Sequence, residues 1–340
     1  MIKGVIDQAM VQKLPPILFI GCLSMLFAEV CSGASQTWFI TGWGLLLTFP
    51  LYLGHVLFFL SLAFRTKRTS LIHLYLFGIM FGLYESWITK VLWAGYMDAS
   101  GPVKTFLGVG VSEFPVLVFF WHPIMSFIVP ILVFEILTGK AITNHELLLK
   151  KTTRKTILII LFSILISTFI ANGNKFNLIS ANASFLGTIL ITVGLFYLSR
   201  KADLHSLNIG KKGFRWLAIY LAVLYIITFI WLLPERIPTT IAPYVTIIAF
   251  YIIAISLLKC SNQAPNELKA LDADSYSVRD LLGFASIALF SVNLACLTPK
   301  ISFVILTITY FLLIFLGLSL FFVICYKILR SRWMKSPVTD

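Results

Sequence analysis

The chain has 340 residues, of which 59% are hydrophobic and only 12% are charged, and its mean hydropathy is +0.94. Soluble domains carry roughly 45–50% apolar and about 25% charged residues, so this composition excludes a water-soluble enzyme, a disordered chain and a disulfide scaffold. The 30 Phe, 12 Tyr and 8 Trp are typical of lipid-facing helices with aromatic residues at the membrane interfaces. We therefore expect an integral membrane protein whose first partner is the lipid bilayer.

A membrane-spanning helix needs about 20 mostly apolar residues, and the sequence contains ten stretches of this kind. They predict an all-α, polytopic helix bundle. Pro299 separates the last two stretches, because proline cannot continue a helix without losing a hydrogen bond. The predicted helices lie near 14–32, 41–64, 71–93, 114–137, 156–171, 179–198, 216–233, 241–258, 280–297 and 301–326.

The Lys and Arg residues alternate along the chain. Twenty-two of the 27 fall in connections on one side of the predicted bundle, four fall on the other side, and Lys90 lies within a predicted span. Connections rich in Lys and Arg face the cytoplasm, so both termini are predicted to be cytoplasmic, in a prokaryotic cell membrane. The net charge of +13 is then spread over connections, and nucleic acid is not an expected partner.

The first apolar stretch has a second interpretation. Lys13, the run after it and the small residues 32–34 could form a signal peptide that is cleaved. Glu29 inside the run argues against cleavage, as does the lack of an Ala-x-Ala pattern. The charge count does not decide between the two interpretations.

Motifs for metals and cofactors are missing from the sequence. The five cysteines include no CxxC pair, and Gly-rich phosphate loops, HExxH and GxSxG are absent. No metal site is therefore predicted, and no cofactor can be named.

The longest polar connection, 259–279, is predicted to be a solvated loop. Glu135 and His73 lie near the ends of their apolar stretches and are predicted to be interfacial, while His145 is placed in a connection.

Ionisable residues well inside the apolar stretches occur only in the first four predicted helices. Such a side chain costs about 2.5–3.5 kcal/mol in hydrocarbon on insertion scales, so each indicates a specific role. We therefore divide the single transmembrane domain, 1–340, into a polar-site subregion, 1–137, and an apolar scaffold, 138–340. The five residues are Glu29, His55, Glu85, Lys90 and His122.

Helix geometry gives the depth of these side chains. With a rise of about 1.5 Å per residue, Glu85 and His122 both lie roughly 12 Å below the outer boundary of the membrane. Glu29 and Lys90 lie about 5 Å below the same boundary. His55 lies past the midplane and has no partner at its level, so we expect it to be a satisfied core residue. Two carboxylates and two nitrogen bases are thus predicted to share the outer half of the bundle.

Small residues and prolines surround the predicted site. Gly78, Gly82 and Ser86 recur every four residues on the third helix, which lets a neighbouring helix approach closely. Ser126 lies one turn from His122, and Pro123 frees a backbone carbonyl and kinks the fourth helix. This combination favours a cavity within the membrane.

Two interpretations of the polar cluster stay open. In the functional one, Glu85 is a general base or proton carrier and His122 orients a water or a substrate. Glu29, Lys90 and Ser126 then bind substrate, with the Lys90 ammonium attracting an anionic group from the outer leaflet. In the packing interpretation, Glu29 pairs with Lys90 and Glu85 hydrogen-bonds His122, and both contacts only fix helix register.

The third and fourth predicted helices also carry a family resemblance. Residues 84–90 read Tyr-Glu-Ser-Trp-Ile-Thr-Lys, and His122-Pro follows on the next helix. This pattern resembles the CAAX-protease and bacteriocin-processing family of intramembrane enzymes, which carry a Glu-Glu pair followed by an Arg, then Phe-xxx-His and His-xxx-Asn on later helices. Here Tyr84 replaces the first Glu, Val118 replaces the Phe, and no His-xxx-Asn follows.

The resemblance implies that Glu85 corresponds to the second Glu of the pair and His122 to the first His. Those groups would activate a water for peptide hydrolysis. The same segment also resembles uncharacterised prokaryotic multi-pass membrane proteins that carry a Glu-Glu-Gly…Lys helix, and this second resemblance implies no mechanism.

The sequence therefore leaves three functions open. The first is an intramembrane hydrolase that acts on a lipid or a membrane-bound peptide, with Glu85 and His122 as the catalytic residues. The second is a proton-coupled transporter that uses Glu85. The third is a structural or assembly subunit without chemistry. Substrate and oligomeric state are not encoded in any recognisable motif.

Overall fold

The computed structural model describes residues 2–96 and 101–333, and for residues 2–12, 85 and 86 it describes the backbone alone. Within these residues, ten helices are long and apolar enough to cross a membrane. The predicted number of spans and the all-α fold class are therefore confirmed. Very short strands account for the little sheet that is present.

The spanning helices begin and end close to the predicted positions. The two terminal helices differ most, because α1 already begins at Ile2, before the predicted start at residue 14, and α12 continues to Trp333 and is 35 residues long. The first four spans are α1 (Ile2–Met25) with a π-helical turn (Leu26–Val30), a π-helical turn (Gly44–Thr48) with α2 (Phe49–Thr66), α3 (Leu71–Thr89), and a π-helical segment (Pro115–Ile128) with α5 (Val129–Thr138). The other six are α7 (Thr153–Gly173), α8 (Leu178–Ser199), α9 (Lys211–Trp231), α10 (Ala242–Cys260), α11 (Val278–Leu297) and α12 (Pro299–Trp333).

Short elements lie between the spans. The helix α4 (Val91–Ala94) follows α3, and α6 (Glu146–Leu149) precedes α7. Strand β1 (Thr105–Phe106) pairs with β2 (Val109–Gly110), and β3 (Lys140–Ile142) pairs with β4 (Leu268–Ala270), both antiparallel.

Alternate connections meet on the same face of the bundle. Connections 67–70, 139–152, 200–210 and 261–277 contact one another, for example through Ala264 N–H donating to Lys67 O and His205 Nε2 at 3.0 Å from Asn266 O. We name these four connections the basic face. Connections 31–43 and 174–177 meet on the other face, which we name the far face, and the Gln36 amide there donates to Gly173 O.

The first four spans form the core of the bundle. More than half of each of these spans is buried, against a third or less of each of the last six. Since a lipid-facing helix exposes most of its surface, α7 to α12 shield the first four spans from lipid on several sides. This arrangement gives the ionisable side chains of the first four spans a protein environment.

The closest helix contact in the core joins α3 to the π-helical segment. A Cβ atom added at Gly78 would lie 2.4 Å from Pro123 Cα, and one added at Gly82 would lie 3.3 Å from His122 Cβ. The small-residue face predicted on α3 therefore does allow a neighbour to approach. Pro123 lies inside a 14-residue π-helical segment, and π-helical turns are rare and occur frequently at functional sites.

The connection 259–279 was predicted to be a solvated loop, and the structure shows that part of it is folded. Strand β4 within it pairs with β3, and Tyr276 is buried. The Thr69 hydroxyl donates to Asn266 Oδ1 at 2.9 Å, and the Asn266 amide donates to Phe64 O at 3.0 Å. The connection thus packs on the basic face and covers the ends of α2 and α3.

Glu135, predicted to be interfacial, has a buried partner in the next connection. Its side chain is fully buried and lies 2.9 Å from Nδ1 of His145, which is also fully buried. His145 Nε2 lies 2.9 Å from Thr69 O, and the Ile142 N–H donates to Glu135 Oε1 at 2.9 Å. This pair ties α5 to β3 and to the connection before α3. His73, also predicted to be interfacial, is buried as well.

Candidate functional site

Glu29 lies in the π-helical turn that ends the first span, and only 8% of its surface is exposed. Its two carboxylate oxygens have different donors. The Tyr52 hydroxyl donates to Oε1 at 2.5 Å, and the Ser35 hydroxyl donates to Oε2 at 2.5 Å. Two hydroxyl donors from different parts of the chain therefore fix the orientation of this carboxylate.

Tyr52 connects Glu29 to His122. The Tyr52 ring, on α2, stacks on the His122 ring with centroids 6.3 Å apart and an interplanar angle of 24°. The Glu29 carboxylate is close enough to interact electrostatically with the His122 imidazole. A carboxylate, a phenol and an imidazole from three different spans thus meet in one buried cluster, which we name the acid–base site.

The hydroxyl of Ser126 positions His122. Ser126 Oγ lies 3.1 Å from His122 Nδ1, and the Ser24 hydroxyl donates to Ser126 O at 2.7 Å. Trp121 adds a second link to the first span, because its indole N–H donates to Ala28 O at 2.9 Å. Ser126 is fully buried, so its contact with His122 Nδ1 supports a positioning role for it better than direct binding of substrate.

The Glu85 side chain lies outside the described part of the structure. Its backbone belongs to α3, one helical turn after Gly82, whose added Cβ would meet His122 Cβ at 3.3 Å. The predicted pairing of Glu85 with His122, and its predicted role as a base, therefore stay predictions.

Lys90 does not pair with Glu29, contrary to the packing interpretation. Its ammonium group is fully buried and donates to the backbone carbonyls of Thr228, at 3.2 Å, and Leu232. Both carbonyls belong to the C-terminal end of α9, where Thr228 O also accepts from the Leu232 N–H at 3.0 Å. Lys90 also has φ of 56°, in the left-handed region, which separates α3 from α4. Its described contacts thus cap α9 and give no support to substrate binding.

His55 is buried between aromatic rings and is only partly satisfied. Its Nδ1 lies 2.7 Å from Leu51 O, and its ring stacks on Phe81 at 4.5 Å between centroids. Its Nε2 has no hydrogen-bond partner among the described residues. The prediction of a satisfied core residue is therefore correct for one nitrogen and wrong for the other.

The acid–base site combines a carboxylate, a phenol and an imidazole, which are groups that can exchange protons. Among the residues that the structure describes, no group of three or more His, Cys, Asp or Glu could hold a metal ion. Glu29 accepts hydrogen bonds from the Tyr52 and Ser35 hydroxyls, and the Tyr52 ring stacks on His122. This arrangement is suited to proton exchange between a carboxylate and an imidazole.

Sequence reasoning missed Tyr52 and Ser35. Tyr52 belongs to an apolar stretch with many aromatic residues, so its hydroxyl gave no sign of a role. Ser35 lies in a connection, where serine is common. The spacing of Tyr52 and His55 offered one clue. Residues three apart on a helix share a face, so Tyr52 lies on the same face as another polar side chain.

Comparisons with known proteins give a family but no activity. Residues 18–334 match a family described as "Uncharacterized membrane protein family". A protein of Archaeoglobus fulgidus, described as "Uncharacterized protein", is 45% identical over 119 residues, which cover 35% of this chain and 37% of the relative. This chain thus matches little more than a third of that relative's length. No solved structure matches.

The family match confirms the resemblance to uncharacterised multi-pass membrane proteins and covers nine spans completely and most of the first. It extends far beyond residues 84–90, on which the resemblance to intramembrane proteases depended. From the fold and this match together, the chain belongs to that family of multi-pass membrane proteins.

Proposed function

We propose that this protein is an intramembrane hydrolase of prokaryotic cell membranes, which cleaves an ester or amide bond in a lipid or a membrane-bound peptide. The contact of Glu29, Tyr52 and His122 carries the proposal. Glu29, Tyr52 and His122 can exchange protons and are buried together, although the burial of each polar group costs free energy. The archaeal relative supports the prokaryotic membrane.

Each residue has a role that follows from its contacts. Glu29 accepts a proton from a water molecule, and the resulting hydroxide adds to the carbonyl carbon of the substrate. His122 takes this proton from Glu29 and gives it to the leaving oxygen or nitrogen as its bond to carbon breaks, so both groups return to their starting state. Tyr52 and Ser126 hold the carboxylate and the imidazole in place. The net reaction consumes one water and leaves an acid and an alcohol or amine.

Glu85 is part of the proposal through its position on α3. Its backbone lies one turn beyond Gly82, whose added Cβ would lie 3.3 Å from His122 Cβ, and we propose that Glu85 exchanges protons with the site. Burial makes such interactions stronger than they are in water. The resemblance to intramembrane proteases supports the same assignment of Glu85 and His122.

A lipid hydrolysis assay tests the proposal. Purified protein is reconstituted into liposomes made from prokaryotic lipid extract and supplied with membrane-spanning peptides, and products are followed by mass spectrometry. We expect Glu29→Gln and His122→Gln to lower the cleavage rate about 100- to 10,000-fold, the usual contribution of a general acid or base. Tyr52→Phe should have a smaller effect, because it removes one donor to Glu29.

Glu113→Gln is the matched control. Glu113 is also buried, with 3% exposed, but it lies just before the fourth span, and the Ser112 hydroxyl donates to its carboxylate. The proposal is wrong if this variant loses as much activity as Glu29→Gln, or if all the variants cleave as fast as wild type.

Proton-coupled transport is a second candidate, favoured by one observation. The polar contacts run from half-buried Ser35 at the far face through Glu29 and Tyr52 toward His122. A pH-sensitive dye inside the same liposomes separates the two functions. Proton uptake that Glu29→Gln abolishes, without any cleavage product, would replace hydrolysis with transport.

A further inference from the structure

A cavity of about 180 Å³ opens on the basic face, far from the acid–base site. It lies between the start of α3, the end of α10 and the last turns of α12. Its polar lining comes from Ser70, His73, Ser261, Asn262, Lys327 and Ser331. None of the residues that line it is acidic, so it favours an anion over a cation.

The floor of the cavity is rigid. His73, with 3% exposed, has Nδ1 at 2.8 Å from Ser70 Oγ and Nε2 at 2.9 Å from Ser261 Oγ. The Ser261 hydroxyl donates to Leu258 O at 2.7 Å, so it accepts from His73 Nε2–H, and Ser70 donates to Nδ1. These hydrogen bonds hold α3 and the end of α10 in a fixed position around the cavity.

Donors remain available at the mouth of the cavity. Lys327 and Asn262 are exposed, and neither side chain has a hydrogen-bond or ion-pair partner among the described residues. The first backbone N–H groups of α3 lie at the same cavity, where an anion is also favoured by the helix dipole. An ammonium, an amide and a helix terminus together match the oxygens of a phosphate group.

The cavity also lies beside the lipid. α12 has 35 residues and is about 52 Å long at 1.5 Å per residue, which exceeds a hydrocarbon thickness of about 30 Å. Its last turns therefore reach the headgroup region. Tyr326 and Leu329, which flank the cavity residue Ile328, are 62% and 51% exposed, and the Arg330 guanidinium lies 6.0 Å from the Tyr326 ring.

We propose that this cavity binds the phosphate group of a lipid from the leaflet at the basic face. Lys327 and Asn262 contact the phosphate oxygens, and the lipid chains lie along the exposed surface of α12 next to Ile328. Basic pockets between spanning helices bind lipid headgroups in this way. The site is separate from the acid–base site and does not depend on the proposed hydrolysis.

Equilibrium binding tests this site. Purified full-length protein in detergent micelles is titrated with short-chain phosphatidic acid, and the bound lipid is counted by native mass spectrometry. We expect one molecule to bind wild type, and Lys327→Glu and Asn262→Leu each to weaken binding about tenfold or more, because each removes a donor to a charged group. Both residues are exposed, so the variants should fold, which thermal unfolding verifies.

Lys300→Glu is the matched control, since it makes the same charge change at the other end of α12. It should bind phosphatidic acid as wild type does. Equal binding by Lys327→Glu and wild type, or an equal loss in Lys300→Glu, overturns the proposal. A parallel titration with inorganic phosphate distinguishes the source: tight binding of phosphate alone supports the phosphate site but overturns its assignment to a lipid.

Discussion

Replacing Glu135 with Leu should lower the free energy of unfolding by about 3–5 kcal/mol, the usual effect of removing one partner of a buried ion pair. The variant leaves His145 fully buried beside an apolar side chain, and it removes the acceptor of the Ile142 N–H. The loss has two parts, because His145 Nδ1 loses its carboxylate partner while Nε2 keeps Thr69 O, and the Ile142 N–H loses its acceptor. Denaturant unfolding in detergent micelles measures it.

The double variant Glu135→Leu/His145→Leu distinguishes the loss of one partner of the pair from a general loss of packing. Since both partners are then apolar, its loss should be smaller than that of the single variant. Asp274→Asn serves as the control, because it breaks the exposed pair between Lys150 and Asp274 and should leave unfolding unchanged. A double variant that is less stable than Glu135→Leu would contradict this account of the pair.

The same pair gives unfolding a pH dependence. Burial by itself disfavours the charged imidazole, but the Glu135 carboxylate and the hydrogen bonds to Glu135 and Thr69 raise the pKa of His145 above its usual value. A raised pKa means that this stabilisation is fully present below about pH 6.5, the unfolded value, and is lost as the pH rises through the folded pKa. The wild-type protein should show this decline, and the double variant should not.

Replacing Gly78 with Leu should separate α3 from the π-helical segment. A Cβ at this position would lie 2.4 Å from Pro123 Cα, and backbone atoms cannot move aside as a flexible side chain can. Overpacking of this kind typically costs about 1–3 kcal/mol and occasionally more, and we expect the upper end of that range. Denaturant unfolding measures the cost.

A matched control is available on α8. A Cβ added at Gly194 has nothing within 4 Å, so Gly194→Ala should not destabilise the protein. Because Gly82 on the same face of α3 contacts His122, Gly78→Leu should also reduce any activity of the acid–base site. Normal stability in Gly78→Leu would mean that α3 and the π-helical segment do not pack as described.

Much of the fold follows from composition. Ten apolar stretches of about the right length specify ten spans. Because proline has no N–H to donate, a break between the last two spans was expected at Pro299, and α12 does begin there. Alternation of the basic connections correctly grouped the connections that share a face. These features are local or additive along the chain, so they can be predicted without knowing which helices touch.

The site was harder to predict because it depends on contacts between distant residues. Helix depth placed Glu29 and His122 at different levels of the outer half and could not reveal that Tyr52 connects them. Depth also matched Lys90 with Glu29, although Lys90 turns to the carbonyls at the end of α9. The buried pair of Glu135 and His145 depends on how a connection folds back, which no helical periodicity describes.

Infrared difference spectroscopy of the reconstituted protein tests the acid–base site most directly. A pH titration follows the carboxyl stretching bands, and the Glu29 band is the one that Glu29→Gln removes. If Glu29, Tyr52 and His122 form one coupled site, then His122→Gln and Tyr52→Phe should each shift the titration midpoint of that band, while Glu113→Gln leaves it in place. An unchanged midpoint in both His122→Gln and Tyr52→Phe would contradict the coupling on which the proposed function rests.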